Sequence, residues 1–412
     1  MLSYNAARRI VSETVLKLRG NLAVETVGLQ ANVSQAIGRI LAEEIRADRD
    51  YPPFDRSTRD GYAVSSKDLS QAPRTLRLIG ESKAGTAFDG HLRAGECVQI
   101  MTGAPVPGGA DAVVMIEFTR TSGSGPGAEV VFERTAQPGQ NIVATGSEAQ
   151  AAQLLLSPKE RLSYAELALA AQAGCTAVRV YRRPRVAILS TGDEVVSFDR
   201  TPGQFEIRNS NSLSLAAQVV LAGGEPVLLG NAPDKADALR SHIECGLKED
   251  ILVLSGGVSM GKYDLVEDVL RELGAQFCFD SVDIRPGRPS VFAVCQGKPV
   301  FGLPGNPVST MVTFELFVIP AIDILAGGEA RPLPILQARI DHDLDEKDGL
   351  AHFLPASVDW DTGGAVVRAL KWQGSGDVAA VAKSNCFVVV APPNLKIAAG
   401  GWVDVLPRRG LL

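Results

Sequence analysis

Three loops between Ser255 and Ser309 hold the residues best suited to chemistry: SGGVSMGKYD from Ser255, IRPGRP from Ile284 and GLPGNPVS from Gly302. The first follows the apolar run Ile251 to Leu254 and precedes Leu265, Val266, Val269, Leu270 and Leu273, which recur at helical spacing. Strand, glycine loop and helix in that order make an anion site. A helix N-terminus leaves unpaired N–H groups and partial positive charge, and Gly256, Gly257 and Gly261 allow close backbone approach. One such loop is equally a plain strand-to-helix turn, but a second loop and the intervening Arg285 and Arg288 point to phosphate or oxyanion binding.

Acidic residues converge on the same edge. RVAILS runs into Thr191, Gly192, Asp193 and Glu194, and ILVLS and PVFG run into the two glycine loops, so all three strands end where open parallel sheets bind ligands. Glu194 and Asp264 beside an anion loop suit a hard cation such as Mg²⁺ bridging phosphate oxygens. Asp264 also suits an N-cap, and Glu194 a solvated loop charge.

The elements behind these loops alternate from Arg185 to Leu325: RVAILS, SLSLAAQVVLAGG, EPVLLG, KADALRSHIECGL and ILVLS in turn. That alternation predicts βαβ units, hence a parallel sheet covered by helices. Upstream, an amphipathic N-terminal helix is followed by a strand and a helix (VSQAIGRILAEEIRA), which the prolines of YPPFDRSTRDGYA end. The next hundred residues read as short strands separated by turns, including a hairpin at SGSGPG from Ser122. Ser163 with Glu166 makes a capping box, and the chain from Arg331 is again strand-rich.

With 412 residues, several domains are expected, and a net charge of −6 argues against non-specific nucleic-acid binding, so a small-molecule partner is expected. The six cysteines lie far apart with no CxxC pair, so no zinc site is expected. The N-terminus lacks the apolar core of a signal peptide, and Glu315, Pro320 and Asp323 interrupt the apolar stretch Met311 to Leu325, which reads as a buried helix. Neither nucleic acid nor membrane is an expected partner, and a reduced cytoplasm fits.

STGDE at Ser190, SGGVSMGKYD at Ser255, DIRPGRP at Asp283 and GLPGNPVS at Gly302 together resemble the molybdopterin molybdenumtransferase family, MoeA in bacteria and the E domain of gephyrin in animals. PPFDRSTRDGYA at Pro52 and IMTGAPVP at Ile100 are similar to loops of that family's β domain. The resemblance implies a multidomain α/β and β chain. Residues 1–48 with 148–180 would form an extended helix and strand domain, and 49–147 an inserted β domain. Residues 181–329 would form a doubly wound α/β domain, and 330–412 a C-terminal β domain. It further implies a homodimer that inserts molybdate into adenylylated molybdopterin with release of AMP, using Mg²⁺ or a similar divalent ion, alongside other proteins of molybdenum cofactor biosynthesis. Carried over residue by residue, Asp60 and Thr102 would face the cleft from the β domain, and Asp234 would be a further acidic residue. Glu194 and Asp264 would hold the ion, and Gly256, Gly257 and Ser259 would contact nucleotide or phosphate. Pro304, Gly305 and Pro307 would shape the last loop.

Departures concentrate in the basic positions. Arg285 and Arg288 replace lysines, and an arginine fork is not equivalent to a compact ammonium. GQNIVATGSEA after Gly139 lacks a basic residue of the family's pattern and has Glu148 where an aspartate is usual; Leu350 and Pro355 stand where arginines are usual. A divergent paralogue that binds pterin or nucleotide as a carrier or regulator is therefore the alternative to a transferase, with a receptor-clustering scaffold further behind. A nicotinamide dehydrogenase would need a GxGxxG loop, which is not present in the chain.

Overall fold

The computed structural model describes residues 2–257, 265–346 and 348–411. They form two compact units, one of Met1–Ala42, Lys159–Leu162 and Arg179–Leu412, the other of Glu43–Pro158 and Ser163–Val178.

The first unit opens with α1 (Tyr4–Leu18), capped by Ser3, whose hydroxyl accepts from Ala6 N at 3.2 Å. Its buried stripe Ala7, Val11 and Val15 recurs every four residues and joins the main core. The α/β part comprises β1 (Arg185–Thr191), α2 (Asn211–Ala222), β2 (Glu225–Ala232), α3 (Ala236–Gly246), β3 (Ile251–Ser255) and α4 (Leu265–Glu272). It continues through β4 (Gln276–Phe279), β5 (Ile284–Arg285), β6 (Val291–Cys295) and β7 (Lys298–Leu303). The sheet order is β2-β1-β3-β7-β6-β4. Strands β2, β1, β3 and β7 run parallel, as the alternation predicts. Strand β6 alone is reversed, because Gln296 and Gly297 both take positive φ between β6 and β7, the twist of a two-residue hairpin; β4 pairs antiparallel with β6 and so runs with the others.

Side chains of one strand point to alternate faces, which gives the sheet two cores. Val186, Ile188, Val253 and Phe301 pack with α1 and α2 on one face; Ala187, Leu189, Leu252 and Leu254 pack with α3 and α4 on the other. Pro307–Leu325 forms a single 19-residue helical stretch, α5 (Pro307–Thr313) and α6 (Ile319–Leu325) joined by a π-helical turn. It is long and apolar enough to cross a membrane, yet it is packed inside this core. Fully buried Asp323 is held there by Arg161 at 3.1 Å and Arg331 at 2.8 Å.

Strands β8 (Leu336–Ile340), β9 (Ala351–Asp361), β10 (Gly364–Ala369), β11 (Cys386–Val390) and β12 (Trp402–Pro407) close into a barrel, since β9 pairs with both β10 and β11. Short β5 pairs in parallel with the first two residues of β9, setting Arg285 opposite His352.

In the second unit a six-stranded sheet runs in the order Ala112–Met115, Gly61–Val64, Glu96–Ile100, Arg74–Ser82, Glu129–Phe132 and Thr119–Ser122. The last two strands are the expected hairpin, and the helix Tyr164–Gln172 carries the Ser163 and Glu166 capping box. One expectation fails. The helix expected across VSQAIGRILAEEIRA stops at Ala36, and Ile40 and Leu41 are instead buried in extended backbone that bridges Arg161 and Val180. Cross-strand partners remote in sequence override the helical spacing there.

Candidate functional site

From β1 the chain crosses through α2 to β2 on one side, then returns through α3 to β3 on the other side of β1. The strand order reverses between β1 and β3, so their flanking helices diverge and leave a crevice at the carboxyl ends. Ser190 pairs with Ser255, and Ser255 with Leu303, which brings the three loop origins level.

A cavity of about 470 Å³ occupies this crevice. Glu194, Asp234, Gly256, Gly257, Pro304, Gly305 and Pro307, all singled out from sequence, line it. Gly256 and Gly257 have φ of +92° and +63°. A Cβ on Gly256 would stand 2.9 Å from Thr191 O, and one on Gly257 would stand 2.6 Å from Val266 Cγ2. Both positions therefore need glycine for conformation and for space. Ser259 and Asp264 lie outside the described residues.

Three asparagines that sequence reasoning passed over set the loops. Asn231 Nδ2 donates to Gly192 O and Val195 O, both at 3.0 Å, which pins the turn carrying Glu194. Asn209 Oδ1 accepts from Ser190 Oγ at 3.2 Å and Ser212 N at 3.0 Å. Asn211 Nδ2 donates to Gly305 O at 2.7 Å and Ser255 Oγ at 2.8 Å, tying the first turn of α2 to both glycine loops. The available signal was their placement in RNSN and GNA, at strand and helix junctions where side-chain amides replace backbone partners.

Carboxylates crowd one wall. Burial pushes the Asp234 carboxyl up, and the charges of Asp193 and Glu194 push it further, against a backbone hydrogen bond that lowers it. Mutually repelling carboxylates suit a divalent cation. Among the described residues, however, no three acidic, His or Cys side chains are grouped to hold one.

A second cavity of about 780 Å³ shares Pro289, Pro304 and Asn306 with the first. Arg285 and Arg288 line it, as does Leu350. Arg285 Nη1 donates to Asp348 Oδ2 at 2.8 Å, while Asp348 Oδ1 faces Nε2 of buried His352 at 2.6 Å. Burial would raise the Asp348 carboxyl, but the bonds from Arg285, His352 and Leu350 N outweigh it and bring it to about 2.

Asp60 and Thr102 belong to the second unit, where the structure brings them together. Thr102 donates to Asp60 Oδ1 from its backbone N at 2.6 Å and from Oγ1 at 2.9 Å, bonds that hold the exposed carboxylate below its usual range.

Family comparison agrees with this geometry. Models of the MoeA N-terminal region (domain I and II), a probable molybdopterin binding domain and the MoeA C-terminal region (domain IV) match residues 2–174, 187–323 and 337–407. A molybdopterin molybdenumtransferase of Nostoc sp. is 38% identical over 357 residues, 85% of this chain and 80% of the relative. The chain belongs to the molybdopterin molybdenumtransferase family. The Bacillus subtilis member is 34% identical across 91% of this chain and 88% of its own length. Among solved structures, the molybdopterin biosynthesis MoeA protein of Pyrococcus horikoshii OT3 matches with a TM-score of 0.78 at 27% identity, covering 99% of this chain and 100% of that one. The family and fold class expected from sequence are both borne out.

Proposed function

We propose that this chain is a molybdopterin molybdenumtransferase that inserts molybdate into adenylylated molybdopterin and releases AMP. The observation that carries this reading is the shared wall of the two cavities: a nucleotide-sized crevice with carboxylates and a glycine loop adjoins a larger cavity with Arg285 and Arg288. Cleaving the phosphoanhydride moves negative charge onto the leaving phosphate; the Gly256 N–H donates to Leu303 O and so holds the turn, while the backbone of Gly257 would meet that charge, with Ser259 as the further contact that the family resemblance implies. Glu194 and Asp264 would hold Mg²⁺, with Asp234 beside them; the ion supplies positive charge to the phosphate oxygens. Arg285 and Arg288 attract the molybdate dianion, and Pro304, Gly305 and Pro307 shape the wall between the cavities.

The proposal extends to a homodimer in which Asp60 and Thr102 act from the β domain, to the four-part division at 1–48 with 148–180, 49–147, 181–329 and 330–412, to a cytoplasmic location, and to exchange with other molybdenum cofactor proteins. The test mixes purified protein with adenylylated molybdopterin, molybdate and Mg²⁺ and follows AMP release with formation of active cofactor. One observation favours a second reading, as carrier or regulator: Arg285 already has an acidic partner, and Leu350 lines the same cavity where the family resemblance implies an arginine. Ligand binding without AMP release supports that reading; binding of neither ligand defeats both.

A further inference from the structure

Behind the second cavity four side chains alternate in charge: Arg285, Asp348, His352 and Glu346. Arg285 Nη1 meets Asp348 Oδ2 at 2.8 Å, Asp348 Oδ1 meets His352 Nε2 at 2.6 Å, and His352 Nδ1 meets Glu346 Oε2 at 3.1 Å. Among the described residues, the charged groups within ion-pair reach of His352 are these two carboxylates, both from the loop that precedes β9. An ionised carboxylate only accepts, so both ring nitrogens must donate and the imidazole carries positive charge. The ring is 2% exposed and shares a strand face with Leu354 and Ala356 of the barrel core, so packing fixes it, whereas the Arg285 side chain, 63% exposed, can turn.

Asp348 divides its two oxygens between these neighbours. Oδ2 faces Arg285, while Oδ1 accepts from His352 and, at 3.3 Å, from Leu350 N. An oxyanion that draws Arg285 away therefore leaves Oδ1 with both its donors and the carboxylate with an opposite charge beside it. Without His352 the same exchange would leave Asp348, one third exposed, with no cationic partner, which makes Arg285 harder to release.

We infer that His352 is a positioning residue for anion capture: it holds Asp348 as a releasable tether, so that Arg285 can exchange a carboxylate for molybdate. The inference rests on the transferase reading, which brings molybdate to Arg285, and adds a residue that touches no substrate.

Two variants separate the charge of the ring from its hydrogen bonds. His352→Gln sets an amide donor near the Nε2 position and removes the charge; His352→Asn sets one near Nδ1, towards Glu346, and takes the donor away from Asp348. Steady-state turnover against molybdate is measured for each, alone and combined with Asp348→Asn. KM for molybdate is expected to rise about tenfold in His352→Asn and less in His352→Gln, with kcat and KM for adenylylated molybdopterin unchanged. Neither substitution should alter KM in the Asp348→Asn background, because the tether is already gone. A purely structural role would instead lower kcat through loss of folded protein and persist in that background. Such a result, or an unchanged KM, overturns the inference and leaves the transferase reading standing.

Ring ¹⁵N resonances of His352, one of four histidines, give a readout apart from turnover. Both nitrogens should carry hydrogen in the ligand-free protein at the pH of the turnover assay, and molybdate alone should shift the signal in the unaltered protein but not in Arg285→Gln. A ring nitrogen without hydrogen overturns the inference. A molybdate-dependent shift without AMP release supports the tether in a carrier and defeats the transferase reading; neither shift nor AMP release defeats both.

Discussion

Arg285 donates through Nη1 to Asp348 Oδ2 at 2.8 Å, so the cavity-lining guanidinium is tethered by a carboxylate of its own chain. A molybdate dianion must share or displace that partner. Asp348→Asn removes the competing charge and should lower KM for molybdate about two- to tenfold, in line with the modest worth of a solvent-exposed ion pair. Steady-state turnover against molybdate concentration measures it; an unchanged KM would show that Arg285 does not meet this substrate.

The same carboxylate predicts an acid dependence. Because its folded-state value is depressed to about 2, Asp348 adds stability above its ordinary value of 3.8, and that stability is lost as pH falls through about 2. The stability gap between the unaltered protein and Asp348→Asn should shrink between pH 4 and pH 2. Urea titrations across that range provide the check.

Asp234 carries the opposite sign. Its carboxyl is raised by burial and then by Asp193 and Glu194, so its ionised form weakens the fold progressively as pH rises through the ordinary and then the raised value. Asp234→Asn should raise the melting temperature at pH 7, with the gain disappearing below about pH 4. Turnover should fall in the same variant.

Gly257→Ala combines a positive φ with a Cβ 2.6 Å from Val266 Cγ2. A cost of about 2–4 kcal/mol is expected from backbone strain plus overpacking, together with weakened AMP binding. Gly223→Ala at the end of α2 has positive φ but nothing within 4 Å, so it should cost only about 1–2 kcal/mol and leave AMP affinity intact. Equal effects on AMP binding would detach Gly257 from the ligand.

Asp323→Asn tests stability apart from the site. Removing the charge from a fully buried carboxylate that holds Arg161 and Arg331 should cost about 3–5 kcal/mol in denaturant titration, with KM values unchanged.

Much of this molecule was legible along the chain. The apolar runs of β1, β3 and β7 and the glycine loops after them are local patterns, and so is the capping box of Ser163 and Glu166. Residues 37–46 misled because their helical spacing is real but their burial comes from remote extended partners. Asn211 escaped notice because its role depends on Ser255 and Gly305, 44 and 94 residues away.

Taken alone, the sequence determined the family, the strand-and-loop order and the loops that would meet an anion, since strand, turn and helix signals act over a few neighbouring residues. Only the tertiary structure decided which groups are available to a ligand. Arg285 reads as a free cation in IRPGRP but is paired with Asp348, 63 residues on, while the Asn211 amide spans to Ser255 and Gly305 in two other loops. The reason is physical: a side chain's partner is set by what the fold packs against it, however far apart the two lie along the chain.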